Sequence, residues 1–513
     1  MADTGERKAR RRSILPQAAT VFLVAGCALV LEIVAVRLIA PYVGMSLYSW
    51  TAVIATVLAG LSLGHGLGGL LAGDPTRLAP RTAAVLAVGA LATLAVPPLL
   101  RLLAPRLLGT DAEVMVQVGL LSLILFALPA VCAGAVSPLA TRAALARRPD
   151  RPGPVLGAMY AAGALGSILG TLAGGFLFVP LLGSITSVLV VAAVLALLAA
   201  LHLLARPAGL AALLALLVAM GGTLLFLAHR RGALADPCLE ESRHFCIRVD
   251  DATAFTGRPS RLLVLDHLVH GINDRDDPTL LHSPYLAAID ARVRAALGPR
   301  PFTAFHLGGG AYTLPRAWQG RARLQVVAEL DPAVTRIARD RLWFRPDSRL
   351  RILHDDGRRA LRRLSPGTRF DVVVVDAFRD IAVPFHLLTR EFFAEVAARL
   401  AEDGLLLLNV VDRRREPRLA ASVARTLREV FPMVESWLEA GEAELLDGRV
   451  TWLLVAGRRP VDPPSLLDDR HRSGYAFRRV TPRITGEPIR LTDDRAPVEL
   501  LLADVLRRPE LAE

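Results

Sequence analysis

The chain predicts a multi-pass α-helical membrane domain followed by an α/β domain on a doubly wound sheet, and three observations carry that prediction. At 513 residues, 53% of them apolar and with a mean hydropathy of +0.42, it is too long for one ordinary domain and too apolar for a wholly soluble one. Apolar segments of bilayer-spanning length recur through roughly the first 230 residues and then stop. Beyond about residue 240, short β-rich runs alternate with helical stretches.

The formal charge of +12 would suggest a nucleic-acid partner if it sat on a globular surface. Residues 1–230, however, carry 16 Lys+Arg against 7 Asp+Glu, which leaves 44 against 41 for the rest. Lys8 is the only lysine and no basic patch interleaves with aromatics, so nucleic acid is set aside as a partner.

Apolar segments fall at roughly 15–40, 47–72, 82–104, 114–140, 155–181, 183–205 and 208–228, about seven spans in a lipid bilayer. The basic tail before them, residues 1–14, holds Arg7, Lys8, Arg10, Arg11 and Arg12. Arginines recur in the second, fourth and sixth loops (Arg77, Arg81, Arg142, Arg147, Arg148, Arg151, Arg206), while the first and fifth loops have none. The third holds Arg101 and Arg106 beside Asp111 and Glu113. This bias puts the N-terminus in the cytoplasm of a cell whose inner membrane the chain spans. An odd number of spans then puts the soluble domain on the periplasmic side, and one miscounted helix reverses that.

Within the spans, Gly60, Gly64 and Gly68, and Gly166, Gly170 and Gly174, form two ladders of spacing four, a pattern for close helix packing more than for a substrate path. Glu32 and Arg37 lie inside the first span on different faces. Arg37 can snorkel to the interface near Pro41, which leaves Glu32 as the better functional candidate. Cys27 and Cys132 read as small hydrophobes in apolar helices. Cys238 and Cys246 flank ESRHF just past the last span with no zinc-like spacing. They are free thiols or a disulfide, a bridge being expected in an oxidising compartment, and no metal is expected.

From about 240, RHFCIRV and RLLVLDHLVHG read as a small β-hairpin region, and HSPYLAAIDARVRAAL as a linker helix. The runs TAFHLGG, LQVVAEL, LRILHDD, FDVVVVDAF, GLLLLNVV and TWLLVAG then alternate with helical stretches such as PAVTRIARDRLWF. That alternation argues for a parallel sheet whose ligand lies across the carboxyl ends of the strands. There the first strand ends in Gly308, Gly309 and Gly310, the second at Glu329, the third at Asp356 and the fourth at Asp376. A glycine turn admits a nucleoside closely, Glu329 suits both hydroxyls of a ribose, and Asp356 suits an adenine amino group. Each acidic residue alone could be a helix N-cap. Thr313 stands where a dinucleotide site would want its third glycine, which points to adenosine without a pyrophosphate.

The order GGG, VxELDP, DDGRRAL, VVVVDA, LLTREFF and DDRAPVE resembles the spermidine synthase family, the polyamine aminopropyltransferases. LVLDHLVHGINDRDDPTLLHSPY is similar to that family's substrate-side hairpin segment, and LEIVAVRLIAPYVG with LTDDRAPVE resembles its membrane-fused branch. The resemblance implies a Rossmann-like, methyltransferase-type domain over 301–513, after a transmembrane domain over 15–230 and a hairpin, substrate-side segment and linker helix over 231–300. It further implies transfer of an aminopropyl group from decarboxylated S-adenosylmethionine to a polyamine or other amine. The donor would lie on Gly308, Gly310, Glu329, Asp356 and Gly357, with His282 and Tyr285 on the substrate side, Asp376 positioning the amine and Asp380 as base. A homodimer is a further expectation.

Two positions depart from that pattern. Ala311 stands where the family's glycine turn continues with an acidic residue, and in DAFRDIAVP the second loop aspartate falls on Arg379, with Asp380 one residue later. Two other readings follow: an S-adenosylmethionine-dependent methyltransferase, which tolerates Ala311 because its donor carries a carboxylate, and a transporter or sensor whose nucleoside domain only binds.

Overall fold

The computed structural model describes residues 13–108, 113–230, 232–378, 381–459 and 466–507. The chain divides into two compact units, Met1–Pro237 and Cys238–Glu513.

The first unit is helical: α1 (Leu15–Val43), α2 (Leu47–Leu71), α3 (Leu78–Leu108), α4 (Val114–Arg147), α5 (Pro152–Ala173), α6 (Val179–Leu201), α7 (Pro207–Leu216) and α8 (Gly222–Arg230). Among the described residues, six stretches are long and apolar enough to cross a membrane. The fifth of them, Pro152–Leu201, takes in two of the sequence's expected segments and is interrupted at Gly183, whose φ of 75° and ψ of 169° are not helical. Proline supplies N1 or N2 of α1, α5, α6 and α7, where its missing N–H costs nothing.

Both glycine ladders are helix contacts. A side chain at Gly64 or Gly68 would run into the carbonyls of Val131 and Ala135 on α4, and one at Gly166 or Gly170 into those of Phe22 and Gly26 on α1. The backbones meet because no Cβ separates them, and dispersion at that range holds helices together where lipid gives no hydrophobic drive.

The second unit opens with an antiparallel sheet ordered β1 (Glu240–Glu241), β2 (Cys246–Asp251), β3 (Ser260–Leu265), β4 (Leu268–Asp274). Cys238 and Cys246 are disulfide-bonded, tying the entry segment to the start of β2. RLLVLDHLVHG is two strands, folded back where Asp266 takes a φ of 55°. The short α9 (Thr253–Thr256) links β2 to β3, and α10 (Pro284–Leu297) leads into the main sheet.

Among the described residues that sheet has nine strands, ordered β12-β13-β10-β11-β9-β8-β5-β6-β7. The strands are β5 (Phe302–Leu307), β6 (Ala322–Ala328), β7 (Leu350–Leu353), β8 (Phe370–Val375), β9 (Leu400–Arg413), β10 (Met433–Glu439), β11 (Arg449–Gly457), β12 (Leu466–Asp468) and β13 (Ala476–Arg479). Helices α11 (Thr313–Ala317), α12 (Pro332–Arg341), α13 (Gly357–Arg363), α14 (Arg390–Ala397) and α15 (Arg418–Arg428) connect or flank them.

Strands β5 to β9 are parallel, as expected. The expectation of a wholly parallel sheet is corrected at β11, which runs antiparallel to both β9 and β10. β10 escaped the sequence reading because MVESWLE puts glutamates in a strand. Glu435 is nevertheless buried there, its carboxylate held by Arg292 of α10 at 2.7 and 3.0 Å. A buried charge with a bidentate partner can occupy a strand that hydropathy rejects.

FDVVVV is buried on both faces: Phe370, Val373 and Val375 join one core, Val372 and Val374 the other. A third cluster packs Ile247, Leu263 and Leu265 of the small sheet against Ala311, Tyr312 and α12. This packing sets the small sheet beside the glycine turn.

Candidate active site

The parallel strands end side by side, so the residues just past them form one rim. β5 and β8 are neighbours, and Asp376 N donates to Leu307 O at 2.9 Å where both strands stop. Gly308 follows with a φ of 98°, and a side chain there would overlap the Asp376 carbonyl. The turn rests on Tyr312, whose ring lies under Gly309, stacks on Phe344 at 4.2 Å and shares a 2.6 Å hydrogen bond with Thr335.

Glu329 lies where the sequence reading expected it, at the end of β6 and 6% exposed. Its Oε2 accepts from Gly309 N at 2.8 Å and Gly310 N at 3.4 Å, and its Oε1 from Asp331 N at 2.8 Å. Burial pushes its pKa above the usual carboxylate value, and the backbone donors oppose that rise. Glu329 thus fixes the shape of the turn, and of four lone-pair directions three are occupied.

Asp356 caps α13 through Arg359 N at 3.0 Å and faces His386 Nε2 at 2.8 Å. That hydrogen bond is the largest influence holding its carboxyl below the ordinary range. The capping role that sequence left open is therefore real, with one oxygen shared with an imidazole that the sequence reading missed. Gly357, expected on the donor, packs closely at the start of α13: a Cβ there would sit 2.8 Å from the Leu307 side chain, so its absence lets α13 lie on β5.

Asp376 is half-buried between two donors. Tyr285 OH donates to Oδ2 at 3.1 Å and Asn409 Nδ2 to Oδ1 at 3.0 Å. Burial pushes the carboxyl up to about 6, and the two donors hold it from rising further. The same burial, followed by the adjacent Asp376, drives the Tyr285 hydroxyl well above its ordinary value, so it stays a donor.

Asn409 is 3% exposed and its Oδ1 has no hydrogen-bond partner among the described residues. It was overlooked in the run LLLLNVV, although a single polar residue inside a fully apolar strand was the available signal. His282, expected beside Tyr285, is not brought to Asp376; it lies 3.6 Å from Asp274, which Arg258 holds at 2.7 Å. Arg379 and Asp380 lie outside the described residues. Asp493 of the closing LTDDRAPVE segment is held by Arg358 at 2.7 and 2.9 Å and by Thr389 at 2.6 Å.

Ala311 is 1% exposed and lies against Gly271 of β4, where a Cβ would come within 2.8 Å of its own. Asn273 Nδ2 donates to its carbonyl at 2.9 Å. Nearby His270 is held neutral, its pKa pushed down to about 4 by burial. Among the described residues, no group of three or more His, Cys, Asp and Glu is arranged to hold a metal ion.

No family model matches the chain. A polyamine aminopropyltransferase from Vibrio vulnificus is 28% identical over 152 residues, 29% of this chain and 50% of that protein, so the chain spans about half the length of that relative. Polyamine aminopropyltransferase 1 of Streptomyces coelicolor is 27% identical over 440 residues, covering 79% of this chain and 78% of its own, which takes in parts of both units. Among solved structures, a probable spermidine synthase from Corynebacterium glutamicum aligns with a TM-score of 0.37 at 23% identity, over 42% of this chain and 77% of that one. The chain is similar to polyamine aminopropyltransferases, and spermidine synthase-like is the family description these relatives support.

Proposed function

We propose that the chain is a membrane-anchored transferase that moves an aminopropyl group from decarboxylated S-adenosylmethionine to an amine. The observation that carries this reading is Asp376, held by Tyr285 and Asn409 beside the Gly308 turn. In the reaction, the lone pair of the amine nitrogen attacks the aminopropyl carbon bonded to the sulfonium. The carbon–sulfur bond breaks, its electron pair stays on sulfur as methylthioadenosine, and a proton leaves the nitrogen for a carboxylate. Asp376 suits that last task because burial has raised its basicity while two donors fix its oxygens in place. Glu329 holds the glycine turn and offers its remaining lone pair to a ribose hydroxyl.

The soluble unit is proposed to lie on the extracytoplasmic side of the inner membrane. The Cys238–Cys246 bridge supports that side, since disulfides persist in oxidising compartments.

One observation favours a second reading. Ala311, buried against Gly271, leaves no acidic side chain at the position that would meet an ammonium tail, so a donor that also carries a carboxylate is tolerated. That donor is S-adenosylmethionine, and the reaction would then be methyl transfer. Incubating the full chain with each donor and a panel of amines separates the two: methylthioadenosine marks aminopropyl transfer, S-adenosylhomocysteine marks methylation. Release of neither refutes both.

A further inference from the structure

Six exposed large apolar side chains of the second unit share the end where its parallel strands finish. Leu330 directly follows Glu329 at the end of β6, and Phe385 precedes His386, whose Nε2 lies 2.8 Å from Asp356 past β7. Val269 stands beside His270, whose carbonyl would lie 3.0 Å from a Cβ at Gly310 of the turn. Leu445 and Leu446 lie between α16 (Ala440–Glu444) and β11, which starts at Arg449 opposite Arg413, the last residue of β9. Leu239 belongs to the entry segment, where Ser242 donates to Asp331, the N-cap of α12. Phe255 and Leu500 are exposed outside this group. A single exposed leucine is ordinary, but six apolar side chains drawn from five segments onto one end are a pattern.

The opposite end of the sheet has the reverse character. Exposed arginines stand there: Arg300, Arg349 and Arg369 just before β5, β7 and β8, Arg323 at the start of β6, and Arg458 directly after the antiparallel β11. Guanidiniums keep that end in water. The apolar end is also built to hold its leucines outward. Leu446 is 95% exposed, and the turn that carries it is pinned by Asp447, which pairs with Arg413 at 2.7 Å. The chain enters the unit at this same end. Cys238 follows directly on the helical unit, its disulfide to Cys246 ties the entry to β2, and Leu239 N donates to Ile247 O at 2.8 Å. The entry is thereby fixed beside the apolar side chains and away from the arginines.

We propose that this end of the second unit rests on the lipid surface of the membrane that anchors the chain, with Leu239, Val269, Leu445 and Leu446 entering the boundary between headgroups and acyl chains. A lipid interface takes apolar side chains to a depth of about 5–10 Å without requiring a shaped partner surface, which suits leucines that rise from separate segments. The preceding helical unit supplies stretches long and apolar enough to hold the chain in a bilayer, so the occupant is at hand where the chain enters. The proposal rests on the membrane-anchoring part of the proposed function and not on its transferase chemistry.

The test places one fluorophore at a time on the full chain in lipid nanodiscs, with Cys27→Ala and Cys132→Ala removing the free thiols. Leu446→Cys and Val269→Cys carry the probe at the apolar end, and Gly367→Cys, in the exposed turn before β8, carries it at the arginine end. Lipids with a doxyl group on the acyl chain should quench the first two several-fold more than the third, and aqueous iodide should quench the third several-fold more than the first two. Adding Leu445→Asp to the Leu446→Cys protein should weaken its lipid quenching while the unfolding midpoint by circular dichroism stays that of the parent. Leu165→Cys, exposed on α5, reports whether the helices lie in lipid. Lipid quenching there with none at Leu446→Cys or Val269→Cys overturns the docking alone, and none at any of the three overturns the membrane reading with it. A Leu446→Cys probe shielded from iodide but untouched by the doxyl lipid also overturns the proposal, since a second copy or another protein would then cover this end.

Discussion

Replacing Tyr285 with phenylalanine should move the pH dependence of the reaction, and the size of the shift can be worked from the site. Asp376 has two donors, Tyr285 OH at 3.1 Å and Asn409 Nδ2 at 3.0 Å, and burial holds its carboxyl at about 6. Both bonds favour the charged form, so losing one raises the pKa. A hydrogen bond to a charged group contributes about 1.5–3 kcal/mol, and one pKa unit corresponds to about 1.4 kcal/mol. At 3.1 Å the Tyr285 bond belongs at the weaker end, so the carboxyl should rise by about one unit, to near 7. With Asp376 active only as carboxylate, Tyr285→Phe should lose roughly fivefold in kcat/KM at pH 6 and recover nearly all of it by pH 8.5. The assay is methylthioadenosine release from about pH 5 to 9 for both proteins with the same amine. The amine's own titration is common to both profiles and cancels in their ratio. A ratio that stays flat across this range, whatever its level, refutes the assignment of Asp376 as the proton acceptor tuned by Tyr285.

The same geometry sets further expectations. Glu329→Ala removes the acceptor for the N–H groups of Gly309, Gly310 and Asp331, and calorimetry should show adenosyl-ligand affinity reduced about tenfold or more; equal affinity would falsify its role. Gly308→Ala forces a Cβ onto the Asp376 carbonyl at a φ of 98°, so the turn must open and turnover should be lost even where circular dichroism shows a folded sheet. Asp412, 1% exposed, is pushed up to about 7 by burial while it accepts from Leu419 N and Ala420 N at the start of α15. Its folded pKa lies above the unfolded value, so its contribution to stability is full below about pH 4 and is lost as pH rises through about 7. Thermal unfolding of Asp412→Asn should lack that component, on the order of 2–4 kcal/mol across the window. In intact cells, Cys238 and Cys246 should resist alkylation until a reductant is added; rapid labelling of both would place the soluble unit in a reducing compartment.

Local pattern is what the sequence made legible. Runs of about 20 apolar residues announce helices that can cross a bilayer, because a helix satisfies its backbone hydrogen bonds within one continuous segment. Apolar runs ending in GGG, ELDP, DDG and DAF mark strands whose carboxyl ends gather one rim, because a parallel sheet aligns those ends by its topology. Glycines four apart announce close helix contacts, and the ladders on α2 and α5 make them. What tertiary structure alone decided depends on partners distant in the chain. Glu435 can lie in β10 only because Arg292 arrives from α10, and no local pattern records an ion pair 143 residues long. Tyr285 rather than His282 reaches Asp376 because the start of α10 is oriented by its packing on the sheet, not by composition. Asn409 acquires chemistry from Asp376 on the neighbouring strand, and Gly357 is needed where α13 packs on Leu307, because a residue's role is fixed by what packs against it.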